Sequence, residues 1–498
     1  MFMLDSKWMY LLKHIIPSEY EMRYWLILLL NIVLVGCSLG PDYTPPEMDV
    51  PCTWNADPSD GMQLDPADSF LWWESLNDPT LNSLIERANQ QNLDLYIAAT
   101  RVLQAREAQK AGTSGQLPHI DGSATYGHVG YDQRTLDKIL GVAPAPGKKH
   151  HREVNFFEVG FDAEWELDFF GVNAHEMNAQ KAEMEASEDN FYDVMITLTA
   201  EVARNYIELR GFQHRLEILK KNIVDQGEAV KLTQGLLNIG FSSTIDVRQT
   251  EEQLSILSAE KPILELSIEK AIHRLSILLA YSPGELYCEL KDPQPLPSLP
   301  CYKPIGIPSE LLRRRPDIRK AERQLAASNE RVASAVASLF PRISLRGFVG
   351  DIGTNLCSGG FTWFAGPQLL MPIFNSKLIQ QDITLNKIKT EEACYEYQKA
   401  VLNALEETEN AIASFHHELE MNRLLLEANK ASKESHELTS LLYQKGLKDY
   451  LEVLVTERSL LSTEDAYIQS QIDLLLDYIS LYKALGGGWD NCACADPN

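Results

Sequence analysis

The chain has 498 residues, enough for several cores, but a hydrophobic content of 45% and a mean hydropathy of −0.21 exclude a transporter built from many membrane-spanning helices. A net charge of −25 excludes a nucleic-acid partner, because phosphates need a cationic surface.

Near the N-terminus lies one apolar run, Trp25–Gly36, of twelve residues. A bilayer needs about 20, so the run reads as the core of a signal peptide over 1–36, with Met22 as an alternative start. Leu34-Val35-Gly36-Cys37 has the order of a lipobox: a branched apolar residue, two small ones, then a cysteine to be diacylated. The competing reading is an ordinary cysteine after a buried strand. With a lipobox, the mature chain begins at Cys37, and a covalent lipid there is its only non-protein group. Residues 37–80 then form an extended arm in which Trp54, Trp72 and Trp73 pack along the body. The remaining cysteines lack C-x-x-C spacing, so no metal site is expected. Cys288 and Cys301 are a candidate loop disulfide.

Residues 81–282 and 309–486 are two copies of one unit. LPHIDGSATYG (117–127) echoes FPRISLRGFVG (340–350), GFSSTIDV (240–247) echoes GLKDYLEV (446–453), and HRLSILLA (273–280) echoes ISLYKALG (479–486). The last two pairs share an offset of 206 residues. Each copy is expected to run helix, proline-marked strand, loop, strand, very long helix, glycine-marked turn, long helix. The Pro-rich stretch 283–308 links the copies, and 487–498 is a polar tail.

Strands are expected at about 119–129, 154–167, 341–350 and 360–371, with an exposed loop at about 130–152 in the first copy. In VNFFEVGFDAEWEL, Phe157, Val159, Phe161, Ala163, Trp165 and Leu167 alternate with Glu158, Gly160, Asp162, Glu164 and Glu166. Period-two alternation of apolar residue and carboxylate suits a barrel strand between lipid and a wet lumen, although a soluble sandwich strand alternates too. Four strands cannot close a membrane barrel, whose smallest forms have about eight, and lipid does not tolerate open edges. The strands must therefore be pooled between chains.

Neither Gly nor Pro occurs from Gln381 to Lys445, nor again from Leu447 to Leu485. At 1.5 Å per residue the first run extends about 100 Å. Leu454, Leu461, Ile468, Leu475 and Tyr482 recur every seven residues, the spacing of coiled-coil packing. Gly240 and Gly446 each precede a short polar turn and a returning helix, as C-cap glycines do, so each copy makes a long antiparallel hairpin. Pro262 is expected to interrupt and bend the first returning helix. Arg458 lies in the heptad seam, where a carboxylate partner is expected. Arg313, Arg314 and Arg315 are expected to pair with acidic residues of the body and not with a ligand.

From Cys37 to Trp489 the chain resembles outer membrane efflux lipoproteins of the NodT type, within the TolC-like outer membrane factors. The resemblance is carried by GPDYTPP (40–46), WELDFFG (165–171), FSSTIDVRQTEEQL (241–254), RRRPDIRKAERQLAASNERVASAVASLFPRISL (313–345) and LYKALGGGW (481–489). It implies an α+β, mainly α membrane protein: a homotrimer whose strands, four from each chain, close one transmembrane β-barrel continued by a periplasmic α-helical coiled-coil barrel. The termini and linker would form an equatorial region, and Cys37 would anchor the chain in outer-membrane lipid. The implied function is the passive outer-membrane channel of a tripartite efflux or export system, with a periplasmic adaptor and an inner-membrane pump as partners. The resemblance also implies acidic rings and polar bridges near the hairpin turns. By position the candidates are Asp246, Asp449, Glu452 and Arg458, while Val455 stands where the family often has an aspartate. An exit duct for secreted polypeptides is the alternative within this fold, and a structural or adhesive coiled-coil surface protein is the alternative from another class. No GxSxG, HExxH, Walker or dinucleotide fingerprint occurs, so no enzyme is expected.

Overall fold

The computed structural model describes residues 40–41, 43–55, 62–63, 71–132, 151–300, 303–304, 306–354, 357–374 and 376–489. Met22, Cys37, Cys301 and most of the C-terminal tail lie outside these residues. In the first half, α1 (Pro79–Gln91) and α2 (Leu93–Ser114) lead into β1 (His119–Asp132) and β2 (His151–Leu167), followed by α3 (Val172–Asn238) and α4 (Thr244–Leu278). The second half runs α5 (Pro308–Arg314), α6 (Pro316–Ala337), β3 (Arg342–Thr354), β4 (Cys357–Leu370), α7 (Ser376–Gln444) and α8 (Tyr450–Ala484).

The returning helices α4 and α8 have 35 residues each, and both their first and last residues stand 206 apart. Helix α7, with 69 residues, extends about 100 Å. Its propensity, unbroken by Gly or Pro, permits that length, and side-chain packing sustains it. Proline marks the helix starts: Pro79, Pro308 and Pro316 each sit in the first turn, where a missing N–H costs nothing. The expected break at Pro262 is not found. Helix α4 runs unbroken through it, because one lost hydrogen bond is outweighed by the helix formed on both sides.

The chain divides into two compact units. One comprises 1–45, 105–184 and 324–394 and holds an antiparallel sheet of order β1-β2-β3-β4. Phe161 of β2 stands opposite Gly122 of β1 and Val349 of β3, and Val349 opposite Trp363 of β4. The strands of the first hairpin run to Asp132 and resume at His151, so its ends continue the ladder where a loop over 130–152 is expected. Backbone pairing carries the strands past the amphipathic stretch.

The other unit comprises 46–104, 185–323 and 395–498. Its core gathers Leu81, Leu84, Tyr206, Ile272, Leu475 and Tyr478. Asp78 caps α1, accepting the Thr80 and Leu81 N–H groups, and its second oxygen accepts the Tyr206 hydroxyl at 2.7 Å. The three tryptophans of the arm are buried here. Trp72 stacks on Tyr482 at 5.8 Å, and Trp54 donates to the Gly306 carbonyl at 3.0 Å. Trp72 and Trp73 belong to a 3-10 turn and not to an extended segment, which lets both indoles reach the core. Arg315 is buried and forks onto Asp317 at 2.7 and 3.0 Å, Glu407 at 2.8 Å and the Ala484 carbonyl at 2.9 Å. Among the three arginines it bears out the expected pairing with body carboxylates.

Candidate functional site

Both hairpin turns are built alike. Gly240 and Gly446 have φ of 82° and 69°, a left-handed conformation that L side chains rarely adopt. The Phe241 N–H reaches back to the Leu236 carbonyl at 2.9 Å and the Gly240 N–H to Leu237 at 3.0 Å. In the second copy, Leu447 reaches Leu442 at 2.9 Å and Gly446 reaches Tyr443 at 2.8 Å. This is the Schellman arrangement, which satisfies the last carbonyls of α3 and α7 and releases the chain into the turn.

Ser243 and Asp449 are the N-cap residues of α4 and α8, which makes Asp246 and Glu452 the third residue of each helix. Their shared spacing, six beyond the turn glycine, is thus the spacing of a helix start. Asp246 accepts the Ser243 N–H at 2.8 Å and the Ser242 hydroxyl at 3.0 Å, and its own N–H donates to Ser243 Oγ at 3.2 Å. Partial burial opposes ionisation of Asp246, but these hydrogen bonds outweigh it and hold its carboxyl below the usual range. Glu452 instead pairs with Lys448, and the exposed Asp449 makes no side-chain cap bond.

Arg458 departs from expectation. It is exposed on the wall of a cavity of about 350 Å³ shared with Glu260, Glu464 and Asp465, and it has no ion pair within the chain among the described residues. Solvent supplies what a buried seam would have demanded of a carboxylate. Its neighbour Glu457 is pushed up to about 7 by burial, which Arg458 only partly offsets.

One feature of the tips escaped the sequence reading. Phe241 and Ile245 after the first turn, and Leu447, Leu451 and Val455 after the second, are exposed. Apolar residues at one and five places beyond each glycine were the available signal.

The sheet has two chemically opposed faces. One carries Ile120, Tyr126, Phe157, Phe161, Phe361 and Trp363, all exposed. Asp351, opposite Val159 and Phe361, is the charged exception on this face, and an apolar face of this extent marks contact with lipid or protein. The opposite face carries Asp121, Glu158, Asp162, Glu164, Glu166 and Arg346, with Arg346 on Glu164 at 2.8 Å and Ser123 donating to Asp162 at 2.6 Å. No described helix is long and apolar enough to cross a membrane.

In the same unit, residues just beyond Cys37 are seated between α3 and α6. A Cβ at Gly40 would collide with Ala333, Asn329 donates to the Pro41 carbonyl at 3.2 Å, and Tyr43 packs on Ala179, Ala182, Ala326 and Ala327. His175 and Glu330 pair across the groove at 2.7 Å.

An antiparallel sheet with one apolar and one acidic face, in a chain that otherwise folds into long helical hairpins, is the make-up of a TolC-like outer-membrane channel subunit. The chain belongs to the outer membrane efflux protein family, whose model matches residues 84–280 and 307–487. It is 28% identical to nodulation protein T of Rhizobium leguminosarum bv. trifolii, over 93% of this chain and 97% of that protein. It is 30% identical to the pyoverdine export outer membrane protein OpmQ of Pseudomonas aeruginosa, over 86% and 89% of the two chains. Among solved structures, the outer-membrane channel OprN superposes with a TM-score of 0.81 at 32% identity, over 91% of this chain and all of that one. The protein is an outer-membrane efflux channel component whose helices lie in the periplasm.

Proposed function

We propose that three copies of this chain pool their strands into one barrel and their hairpins into one tunnel, forming a passive conduit. The observation that carries this reading is the open sheet. Edge strands β1 and β4 each have one side without a partner strand among the described residues, yet the sheet presents an apolar face fit for lipid. Lipid cannot satisfy free N–H and C=O groups, so β4 of one chain pairs with β1 of the next. The acidic face then lines a wet lumen. A periplasmic adaptor and an inner-membrane pump supply direction and energy, and selection of cargo belongs mainly to the pump. Residues 1–36 are removed and Cys37 carries a lipid, with the Gly40–Tyr43 seat holding the chain close behind it. Asp246 and Asp449 give the periplasmic mouth a negative potential, with Arg458 and the Lys448–Glu452 pair beside them.

The detergent-extracted protein is expected to scatter light as a single species of three chains and to form ion-conducting pores in planar bilayers. A folded, strand-containing monomer would end the pooled-barrel reading.

A further inference from the structure

We propose that the acidic face of the sheet carries a binding place for cargo in transit, an aromatic platform of Phe364 on Phe348 beside the carboxylates of Asp162 and Asp121, and that it takes organic cations bearing an aromatic ring. This rests on the reading that copies of the chain pool their strands into a barrel with the acidic face toward its lumen.

Asp121, Asp162, Phe348 and Phe364 stand opposite one another in a single row across the four strands, on the face turned away from Phe161 and Trp363. Two phenyl rings on this face break the alternation that sends apolar side chains toward lipid. Phe348 has a structural reason to be there. It is 6% exposed, and a Cβ at Gly160 or Gly350 of the next row would come within 2.7 or 2.8 Å of its ring. Phe364 has no such reason. It stacks on Phe348 with ring centroids 6.3 Å apart and planes 19° apart, yet it is 55% exposed. Its neighbours on the same face of β4 are the small residues Thr362 and Gly366, and a Cβ at Gly366 or at Gly360 would meet nothing within 4 Å. Open space therefore flanks an exposed ring that rests on a fixed one.

The surrounding charge selects the solute. On this face Arg346 is held by Glu164 at 2.8 Å and Arg342 lies 3.9 Å from Glu166. Asp121, Glu158 and Asp162 have no ion pair among the described residues, and Ser123 fixes Asp162 by donating to it at 2.6 Å. Pooling the strands brings β1 of the next copy, with its own Asp121, alongside β4 and Phe364. An aromatic face attracts a cation through its quadrupole, and the carboxylates add Coulomb attraction; an anion is repelled, and a saturated ring gains only contact area. A single exposed ring in a wet lumen holds its solute weakly, which lets a conduit release what it gathers.

The test uses the purified full-length protein in liposomes, photolabelled with azidobenzyl-trimethylammonium, with the adducts mapped by mass spectrometry. Wild type is expected to carry the label on β3 and β4, at Phe364 and its neighbours on the acidic face. Excess benzyltrimethylammonium should compete, its cyclohexylmethyl analogue should compete about fivefold less well, and benzenesulfonate should not compete. Phe364→Leu should lower labelling about fivefold, Phe364→Tyr should keep it, and Asp162→Asn should roughly halve it. Light scattering checks that each variant still assembles; if Phe364→Leu does not, the competition series on wild type decides alone. Labelling that survives Phe364→Leu, equal competition by the two cations, or adducts confined to Phe361 and Trp363 on the apolar face would overturn the proposal. Absence of a three-chain species in wild type would instead defeat the underlying reading.

Discussion

Ser243 and Asp246 cap each other: the Ser243 N–H donates to the Asp246 carboxylate at 2.8 Å, and the Asp246 N–H to the Ser243 hydroxyl at 3.2 Å. The second hairpin has Asp449 and Glu452 at these positions and uses a Lys448–Glu452 pair instead. Two copies of one turn therefore hold the carboxylate at the third helical position by different chemistry, two serines in one and a lysine in the other.

Asp246→Ala is expected to cost the first turn of α4 about 1 kcal/mol, the usual worth of a cap. Amide hydrogen exchange over 244–250 should accelerate roughly fivefold, whereas Glu452→Ala should change exchange at α8 by less than about twofold, since it loses only an exposed pair. The Asp246 carboxyl is depressed in the folded state, so its contribution is present above the unfolded value and disappears as pH falls through the folded one. Equal exchange in wild type and Asp246→Ala at neutral pH would refute the capping role.

The two sheet faces should respond oppositely to charge. Phe161→Arg places a cation on the apolar face and is expected to cost about 2–4 kcal/mol if that face meets lipid at mid-depth. Glu158→Gln on the acidic face should be tolerated. The fraction of protein recovered as assembled oligomer from outer membranes distinguishes them, and equal recovery of both variants would contradict the assignment of faces.

Glu418 is half-buried and one of its oxygens, Oε1, has no hydrogen-bond partner among the described residues. Burial, then Asp473 and Asp477, push its carboxyl up to about 7, and burial with Asp473 pushes Asp477 up to about 6. A carboxyl raised on folding weakens the folded state once it is ionised, and the penalty is relieved as pH falls through the folded value. Glu418→Gln should therefore raise the heat-inactivation midpoint at pH 8 and leave it unchanged at pH 5. A midpoint shift of equal size at both values would exclude titration of this group as the cause.

The lipid and the seat behind it are separable. Cys37→Ser should abolish incorporation of labelled fatty acid, whereas Gly40→Val should keep the label and release the arm, because its side chain would overlap Ala333. Proteolysis near residue 45 reports the second effect. Unaltered labelling in Cys37→Ser would remove the lipoprotein assignment.

Much of this molecule is legible as sequence because its signals are local and periodic. The alternation in 154–167 depends on a strand's period of two, and the turn glycines depend on a φ that other residues resist. Pro262 misled because the penalty of one residue is judged against a whole helix. Arg458 misled because a heptad places a residue on a helix face without saying whether a neighbouring helix covers it.

The duplication, the strand faces and the hairpin turns are written in spacing along one chain, and the family in the motifs at 40–46, 165–171, 241–254, 313–345 and 481–489. Which charges are spent was settled by packing. The fold assigns Asp246 to a cap, Glu452 to Lys448 and Arg315 to Asp317 and Glu407, and it leaves Arg458 in solvent. It also exposes Leu451 and Val455 while burying Val453 and Leu454 between them. Burial and pairing depend on what stands opposite in space, and that is set by packing between segments about two hundred residues apart.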